Sequence, residues 1–407
     1  MVMLLGCHND AVTLCFVFQQ VMAVRPDLRQ HYVRACQNVG QPENPFIAHV
    51  LQEADNNDKI RGTKGITLKI AGNNHLVPVQ RVTDDDLQVL ASVLRSTVFV
   101  TGLDLRYNVL TDAGAKNMAT FLQENCTLRY LNLMFNDIGT SGAELIARAL
   151  HRNETLVYLR MTGNKIGNKG GMFFASMLQI NSTLEKLDLG DTDMEETTVH
   201  VALMLKNNSS LVELHLGKHE MKNFGVERLC GALYENSSLR YLDLSCNKIT
   251  CDGVKFLGEL LKWNQTLEIL DLNANRIEDD GAFYLSEALT LYNRTLQALS
   301  VVSNNISGKG LVALSDAMKT NMELSYIYIW GNKFDEVTCM AFSELIQTGR
   351  LKPNCTDVEP YEVDGHVHLA ELSHGLQKHY YWTPSCGEVT NKDANARLAI
   401  AAVSEYL

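Results

Sequence analysis

A chain of 407 residues has room for two or three ordinary domains or for one long repeat array. Its 46% hydrophobic and 20% charged residues allow a sizeable core, and a formal net charge of -11 argues against a general nucleic-acid binder and against docking on anionic lipid. Ten cysteines with no C-x-x-C pair and no ladder of spacings point to a reduced intracellular compartment.

Near the start, the run from Ala11 to Val24 is the most apolar, yet it holds Gln19 and Gln20 and is too short to span a bilayer. No basic residue precedes it, as a secretory signal would require, so the expectation is a soluble intracellular protein. Residues 1–62 differ in composition from the rest of the chain. The segments DLRQHYVRACQNV and NPFIAHVLQEADNN predict two short helices separated by Pro42 and Pro45, a helical cap for the chain beyond.

Residues 63–351 carry an internal repeat. The segments LDLRYNVL, LNLMFNDI, LRMTGNKI, LDLSCNKI, LDLNANRI, LSVVSNNI and IYIWGNKF share the pattern L-x-L-x-x-N-x-L, anchored on Asn108, Asn136, Asn164, Asn247, Asn275, Asn304 and Asn332. Two degenerate copies between them place Thr192 and His219 at the anchor, which gives nine repeats spaced 27 to 29 residues apart. A weaker copy precedes them at LKIAGNNH, with Asn73 in the anchor place. Within one unit, L-x-L alternates as a short strand does when one face meets a core. The asparagine falls where the chain turns, and its amide can satisfy backbone groups the turn leaves unpaired. A glycine follows six residues later in most copies, as at Gly142 and Gly310, where a side chain in the first helical turn would crowd the neighbouring repeat. An amphipathic run such as AELIARALHRN then ends at Asn-x-Ser/Thr-Leu. Every strand therefore runs the same way and every crossover carries a helix. The expected fold is an α/β solenoid, a horseshoe with a parallel sheet on its concave side and helices on its convex side.

These motifs, from about Leu68 to Leu351, resemble the ribonuclease-inhibitor-like branch of the leucine-rich-repeat proteins. The C-terminal VDGHVHLAELSHGLQKHYYWTP further resembles the tail of one vertebrate member. The resemblance implies a protein-binding scaffold rather than an enzyme. It also implies two settings: a subunit of an intracellular assembly such as a ciliary axoneme complex, or a cytoplasmic or nuclear protein that regulates another, as ribonuclease inhibitors and activators of small GTPases do. Against the inhibitors, the ten cysteines here are irregular; against a Ran-type activator, a long acidic tail is missing.

Residues 352–407 leave the repeat. Pro353, Pro360 and Pro384 interrupt them, YEVDGHVHLA predicts a strand and NARLAIAAVSEYL a helix, together a cap folded back over the last repeat. His366, His368, His374 and His379 near Cys386 have a spacing a metal could use, but no paired cysteines accompany them and solvated histidines are commoner; no metal or cofactor is expected. The sequons at Asn125, Asn153, Asn181, Asn208, Asn236, Asn264 and Asn293 all fall at the helix-to-strand turn, where backbone geometry favours these residues, so glycosylation is not expected. GNKGG at Gly167 and SGKG at Ser307 lack phosphate-loop spacing, and no nucleophile or acid/base set stands out.

The informative residues flank the buried leucines, where they must point outward. One column holds Asp104, Asn132, Arg160, Asp188, His215, Asp243, Asp271, Ser300 and Tyr328; its neighbour includes Tyr130, Tyr158, Lys186, Glu213, Tyr241, Ile269, Ala298 and Tyr326. The aspartates serve either as surface polarity or as a docking strip for basic protein segments. Tyr326, Tyr328 and Trp330 form either a partner anchor or the seat of the C-terminal cap.

Overall fold

The computed structural model describes residues 27–56, 65–194, 198–372 and 400–402. Helices α1 (Leu28–Val39) and α2 (Pro45–Asn56) come first, as the two N-terminal segments predict. Strand and helix then alternate through β1 (Ile66–Lys69), α3 (Asp84–Leu94), β2 (Val100–Asp104), α4 (Asp112–Glu124), β3 (Tyr130–Asn132), α5 (Thr140–Leu150), β4 (Tyr158–Arg160) and α6 (Gly167–Leu178). The array continues with β5 (Lys186–Asp188), α7 (Thr198–Leu205), β6 (Glu213–His215), α8 (Lys222–Leu233), β7 (Tyr241–Asp243) and α9 (Cys251–Trp263). It closes with β8 (Ile269–Asp271), α10 (Glu278–Leu291), β9 (Ala298–Ser300), α11 (Gly308–Thr320), β10 (Tyr326–Tyr328) and α12 (Glu336–Gln347). Strands β1 to β10 lie in chain order in one sheet, each parallel to its neighbour, so each helical crossover returns the chain one strand further along.

The leucines of each L-x-L, such as Leu242 and Leu244, are fully buried between sheet and helices. Burying an aliphatic side chain contributes about 1.5–3 kcal/mol, and the repeat multiplies that term along one continuous core. Local signals place the helix starts. Thr83 and Asp86 form a reciprocal capping box on α3, and Asp335 caps α12 through the Thr338 N–H. A methyl group at Gly142 would come within 2.8 Å of Ala115 in the preceding helix, which explains the glycine there.

Each anchor asparagine ties two repeats together. Asn136 donates from Nδ2 to the Leu105 carbonyl of the preceding repeat and to the Leu133 carbonyl of its own, both at 3.0 Å, while its Oδ1 accepts the Leu110 N–H at 3.2 Å. Asn108, Asn164, Asn247, Asn275 and Asn332 likewise donate to the preceding repeat and accept from it. Asn304 donates in the same way, but its buried Oδ1 takes no hydrogen bond. The residue before the anchor is left-handed in all nine repeats, with φ between 52° and 75°, and only Gly163 and Gly331 among them are glycine. The anchor amide stabilises this costly turn by donating to the carbonyl two residues upstream, as Asn247 does to Ser245 at 3.2 Å.

A second asparagine ladder runs along the helix-to-strand turns. Asn181 donates to the Leu150 and Asn153 carbonyls, Asn236 to Leu205 and Asn208, and Asn321 to Leu289 and Asn293. The seven sequon asparagines at the helix-to-strand turns, Asn125, Asn153, Asn181, Asn208, Asn236, Asn264 and Asn293, are buried, and their amide groups face the protein interior. The strand of the weak N-terminal copy forms and joins the sheet as β1, but Asn73 itself is exposed and does not act as an anchor.

Beyond α12, a short turn at Pro353–Cys355 leads to an antiparallel hairpin of β11 (Val358–Val363) and β12 (His366–Glu371) that packs on α12. The predicted strand is therefore a hairpin, folded around the left-handed Asp364–Gly365 pair. The expected C-terminal helix is corrected at Ile400–Ala402, which form β13, antiparallel to β1 at the opposite edge of the sheet. Pairing with an edge whose N–H and C=O groups would otherwise be open outweighs the helix preference of an alanine-rich segment. Ala11 to Val24, His374, His379 and Cys386 lie outside the described residues.

Candidate protein-binding face

The strand register aligns both columns. Asp104, Asn132, Arg160, Asp188, His215, Asp243, Asp271, Ser300 and Tyr328 are successive partners, and so are Tyr130, Tyr158, Lys186, Glu213, Tyr241, Ile269, Ala298 and Tyr326. The outward direction alone suggests open side chains. In the structure most are buried, Asp104 at 2% exposure and Tyr328 at 0%. Neighbouring strands stand about 4.8 Å apart, so large side chains in adjacent rows cover one another. Tyr130 tilts against Tyr158 with ring centres 5.4 Å apart, and His215 meets Tyr241 edge-on at 4.8 Å.

The acidic column is largely neutralised from within. Arg106 pairs with Asp104, and Arg160 donates from Nε to Asp188 Oδ2 at 3.2 Å, with Thr162 donating to the other oxygen. Burial raises the Asp188 carboxyl, but Arg160, His215 and Thr162 together hold it below the ordinary carboxylate range. One row over, Lys186 reaches Glu213 at 3.3 Å. His215 bridges two carboxylates, Nε2 to Glu213 at 2.7 Å and Nδ1 to Asp243 at 3.2 Å. Burial disfavours its charge, yet Asp243 and Glu213 hold the imidazole well above its usual value, so it is an imidazolium with both nitrogens donating. Asp271 differs. Burial, reinforced by Asp243, pushes its carboxyl well up.

Tyr326, Tyr328 and Trp330 lie beside the segment that follows the last helix. Asp357 accepts the Ile329 N–H at 2.9 Å and the Trp330 N–H at 3.1 Å, closing the sheet edge where another repeat would otherwise continue. Tyr326 hydrogen-bonds to the Cys355 thiol, and the half-buried Trp330 tilts against Phe334 at 5.7 Å. Burial raises the Asp357 carboxyl to about 6 despite the two N–H groups it accepts.

Sequence reasoning missed the pairing of Lys186 with Glu213, although opposite charges one repeat apart in one column carry that signal. It also missed Thr162 and Asp357; the latter lies outside the repeat, where no periodicity marks it. Of the C-terminal histidines, His366 pairs with Glu336 at 2.9 Å and His368 lies against Tyr361. Among the described residues no cluster of three His, Cys, Asp or Glu side chains could hold a metal ion, and no helix is long and apolar enough to cross a membrane.

A family model described as Leucine Rich repeat matches residues 99–119, 124–147, 152–175, 235–258, 264–286 and 292–315. The matches skip the repeats anchored on Thr192 and His219. The chain is 57% identical over 410 residues to leucine-rich repeat-containing protein 34 of Homo sapiens, covering 93% of this chain and 88% of that relative. It is 54% identical over 412 residues to the Mus musculus protein of the same name, covering 93% and 99%. A chain from the yeast Rad7 and Elc1 complex aligns over 89% of this chain and 97% of its own at 13% identity, with a TM-score of 0.43.

Proposed function

The chain belongs to the leucine-rich repeat-containing protein 34 family, and from that premise we propose that it is a non-enzymatic scaffold holding other proteins on its concave sheet face. The C-terminal segment VDGHVHLAELSHGLQKHYYWTP resembles the tail of the same protein. One observation carries the reading: the register gathers tyrosines and charged side chains from successive strands into two aligned columns on one face. Repeat arrays use such extended concave surfaces for binding. The partner segment is basic in this reading: carboxylates recur along the columns at Asp104, Asp188, Glu213 and Asp243, each bridged by Arg106, Arg160, Lys186 or His215, and an incoming cation joins or replaces those bridges. In this reading residues 1–62 and 352–407 are caps for the repeat domain at 63–351, and the bonds of Asp357 support the cap seat at Tyr326, Tyr328 and Trp330.

The setting is a subunit of a larger intracellular assembly such as a ciliary axoneme complex, which the family resemblance suggests. The alternative is a nucleocytoplasmic protein that binds and controls another protein, a role a concave protein-binding face also suits. Proximity labelling with the full chain in ciliated and non-ciliated cells separates the two. Neighbours enriched in axonemal proteins only in ciliated cells support the first; the same neighbours in both cell types overturn it. For a purified neighbour, association should slow as salt rises. Salt-independent association, with binding unaffected by Lys186→Glu, would overturn the concave-face assignment.

A further inference from the structure

Along the helical side of the array, a cation at the end of a helix commonly meets an acid one repeat on. Arg95 pairs with Glu124, Lys206 with Glu235, Lys262 with Glu287 and Lys319 with Glu344. Other arginines cap a helix end directly: Arg294 donates to the Leu289 and Asn293 carbonyls, and Arg350 to those of Met318 and Leu324. Arg152, just past the end of α5, does neither. Its guanidinium has no ion pair or hydrogen bond among the described residues, and the next helix ends in Gln179 and Ile180, which carry no charge. The nearby Leu122 and Leu150 carbonyls are already taken by Asn153 and Asn181, each at 2.8 Å.

A cleft of about 350 Å³ opens at this point, lined by Gln123 from the end of α4 and by Arg148, His151 and Arg152. The last three follow i, i+3, i+4 spacing. His151 keeps helical backbone angles, with its N–H on the Ala147 carbonyl, so all three share one face of the closing turn. Gln123, Arg148 and Arg152 are exposed; His151 is half-buried, and its Nε2 is shut off from water without a hydrogen bond. Each of the four side chains can donate, and none is a carboxylate. Of the acids close by, Glu144 is held by Arg148 and Glu124 by Arg95, while the exposed Glu154 does not line the cleft.

Two guanidiniums one helical turn apart suit a tetrahedral dianion. A phosphate monoester brings three acceptor oxygens and up to about two negative charges, enough for both forks and the Gln123 amide. A carboxylate has only two oxygens, which a single fork satisfies. We infer that this cleft seats a phosphate monoester, as carried by a phosphorylated serine or threonine of a bound protein. The anion gives Arg152 the counter-charge that other helix ends receive from the fold. The site lies on the helical side, apart from the concave columns, so it goes beyond the concave-face reading and neither depends on the other.

The test titrates the full chain by calorimetry with inorganic phosphate and with a capped Gly-Ser-Gly peptide in its phosphoserine, serine and glutamate forms. NMR follows the arginine Nε–H and histidine ring signals. The phosphoserine peptide should bind, shift the Arg148, His151 and Arg152 signals, and lose about tenfold or more of its affinity in Arg152→Gln, the loss of one charged contact. Arg148→Gln should weaken it too, whereas Arg276→Gln, exposed and several repeats away, should not. Both cleft arginines are exposed, so their variants should melt as the wild type does. Tighter binding of the phosphoserine peptide than of inorganic phosphate supports a protein-borne group. Equal or weaker binding upholds the phosphate seat and overturns its protein source, leaving a small phosphate compound as the ligand. A glutamate peptide that binds as tightly, affinity that survives both arginine substitutions together, or no shift at the three residues overturns the inference.

Discussion

Asn247 shows what a single amide does in this protein. Its Nδ2 donates to Leu216 of the preceding repeat at 2.7 Å, and its Oδ1 accepts the His219 and Met221 N–H groups at 2.9 and 3.2 Å. Replacing it with alanine leaves buried backbone groups unpaired, so Asn247→Ala should cost about 1–3 kcal/mol in denaturant unfolding; an unchanged melt would remove the ladder role. His219 is an imidazole doing an amide's work. Its Nε2 donates to Leu189 at 2.8 Å and its Nδ1 lies 3.4 Å from the Met194 N–H, which requires the neutral tautomer, and burial lowers its pKa from 6.5. Below pH 6.5 the unfolded chain binds a proton that the folded site refuses, so this group's support is present at neutral pH and lost as pH falls toward the folded value. His219→Asn should flatten stability over that window, and a slope identical to wild type would show that the histidine does not titrate between the two states. Asp357 acts with the opposite sign. Its carboxyl is raised from 3.8 to about 6, so its contribution is greatest below 3.8 and is lost as pH rises through about 6. That loss amounts to about 3 kcal/mol by linkage, and Asp357→Asn should abolish it in melts recorded from pH 4 to 7.

At the level of elements, the repeat was legible because each unit obeys two periods at once, alternation in the strand and 3.6-residue spacing in the helix. The alternation also places Tyr158, Arg160, Asp188 and Tyr241 in columns, and the strand register aligns those columns. Their pairings were not legible, since whether Arg160 meets Asp188 or solvent depends on side-chain reach across strands. Nor was the left-handed turn before each anchor, because seven of its nine residues are not glycine. The tail was misread where tertiary pairing overrides local preference: residues 400–402 are strand because β1 offers them a partner. The hairpin invites a direct test. Deleting residues 353–407 removes Asp357 from the Ile329 and Trp330 N–H groups and uncovers the last helix. Against a full-length reference with Trp263→Phe and Trp382→Phe, the half-buried Trp330 of the deleted Trp263→Phe chain should become freely quenchable by iodide and the melt should broaden from that end. Unchanged quenching would mean that the hairpin does not cap the array.

For the molecule as a whole, stability along a solenoid is close to a sum of units and their interfaces, so the array is as cooperative as its poorest joint allows. That joint lies in the middle. Among the described residues the Thr192 side chain bonds only to Leu189 within its own repeat, and His219 supplies an approximate substitute. Hydrogen exchange should find lower protection from Leu189 to Lys222 than in the repeats on either side, and Thr192→Asn with His219→Asn should raise Tm and sharpen the transition. Uniform protection would contradict a weak centre. The pairing of β13 with β1 bears on how the chain is made. Nearly all other described bonds join residues no more than about one repeat apart, so repeats can assemble one after another as synthesis proceeds. Ile66 and Ala402 are separated by most of the chain, and closing so long a loop costs entropy that no local contact offsets. The edge of β1 therefore stays open on the ribosome while the more than three hundred residues between the two strands are made, available to a chaperone or to another nascent chain, until Ile400–Ala402 arrive to shut it.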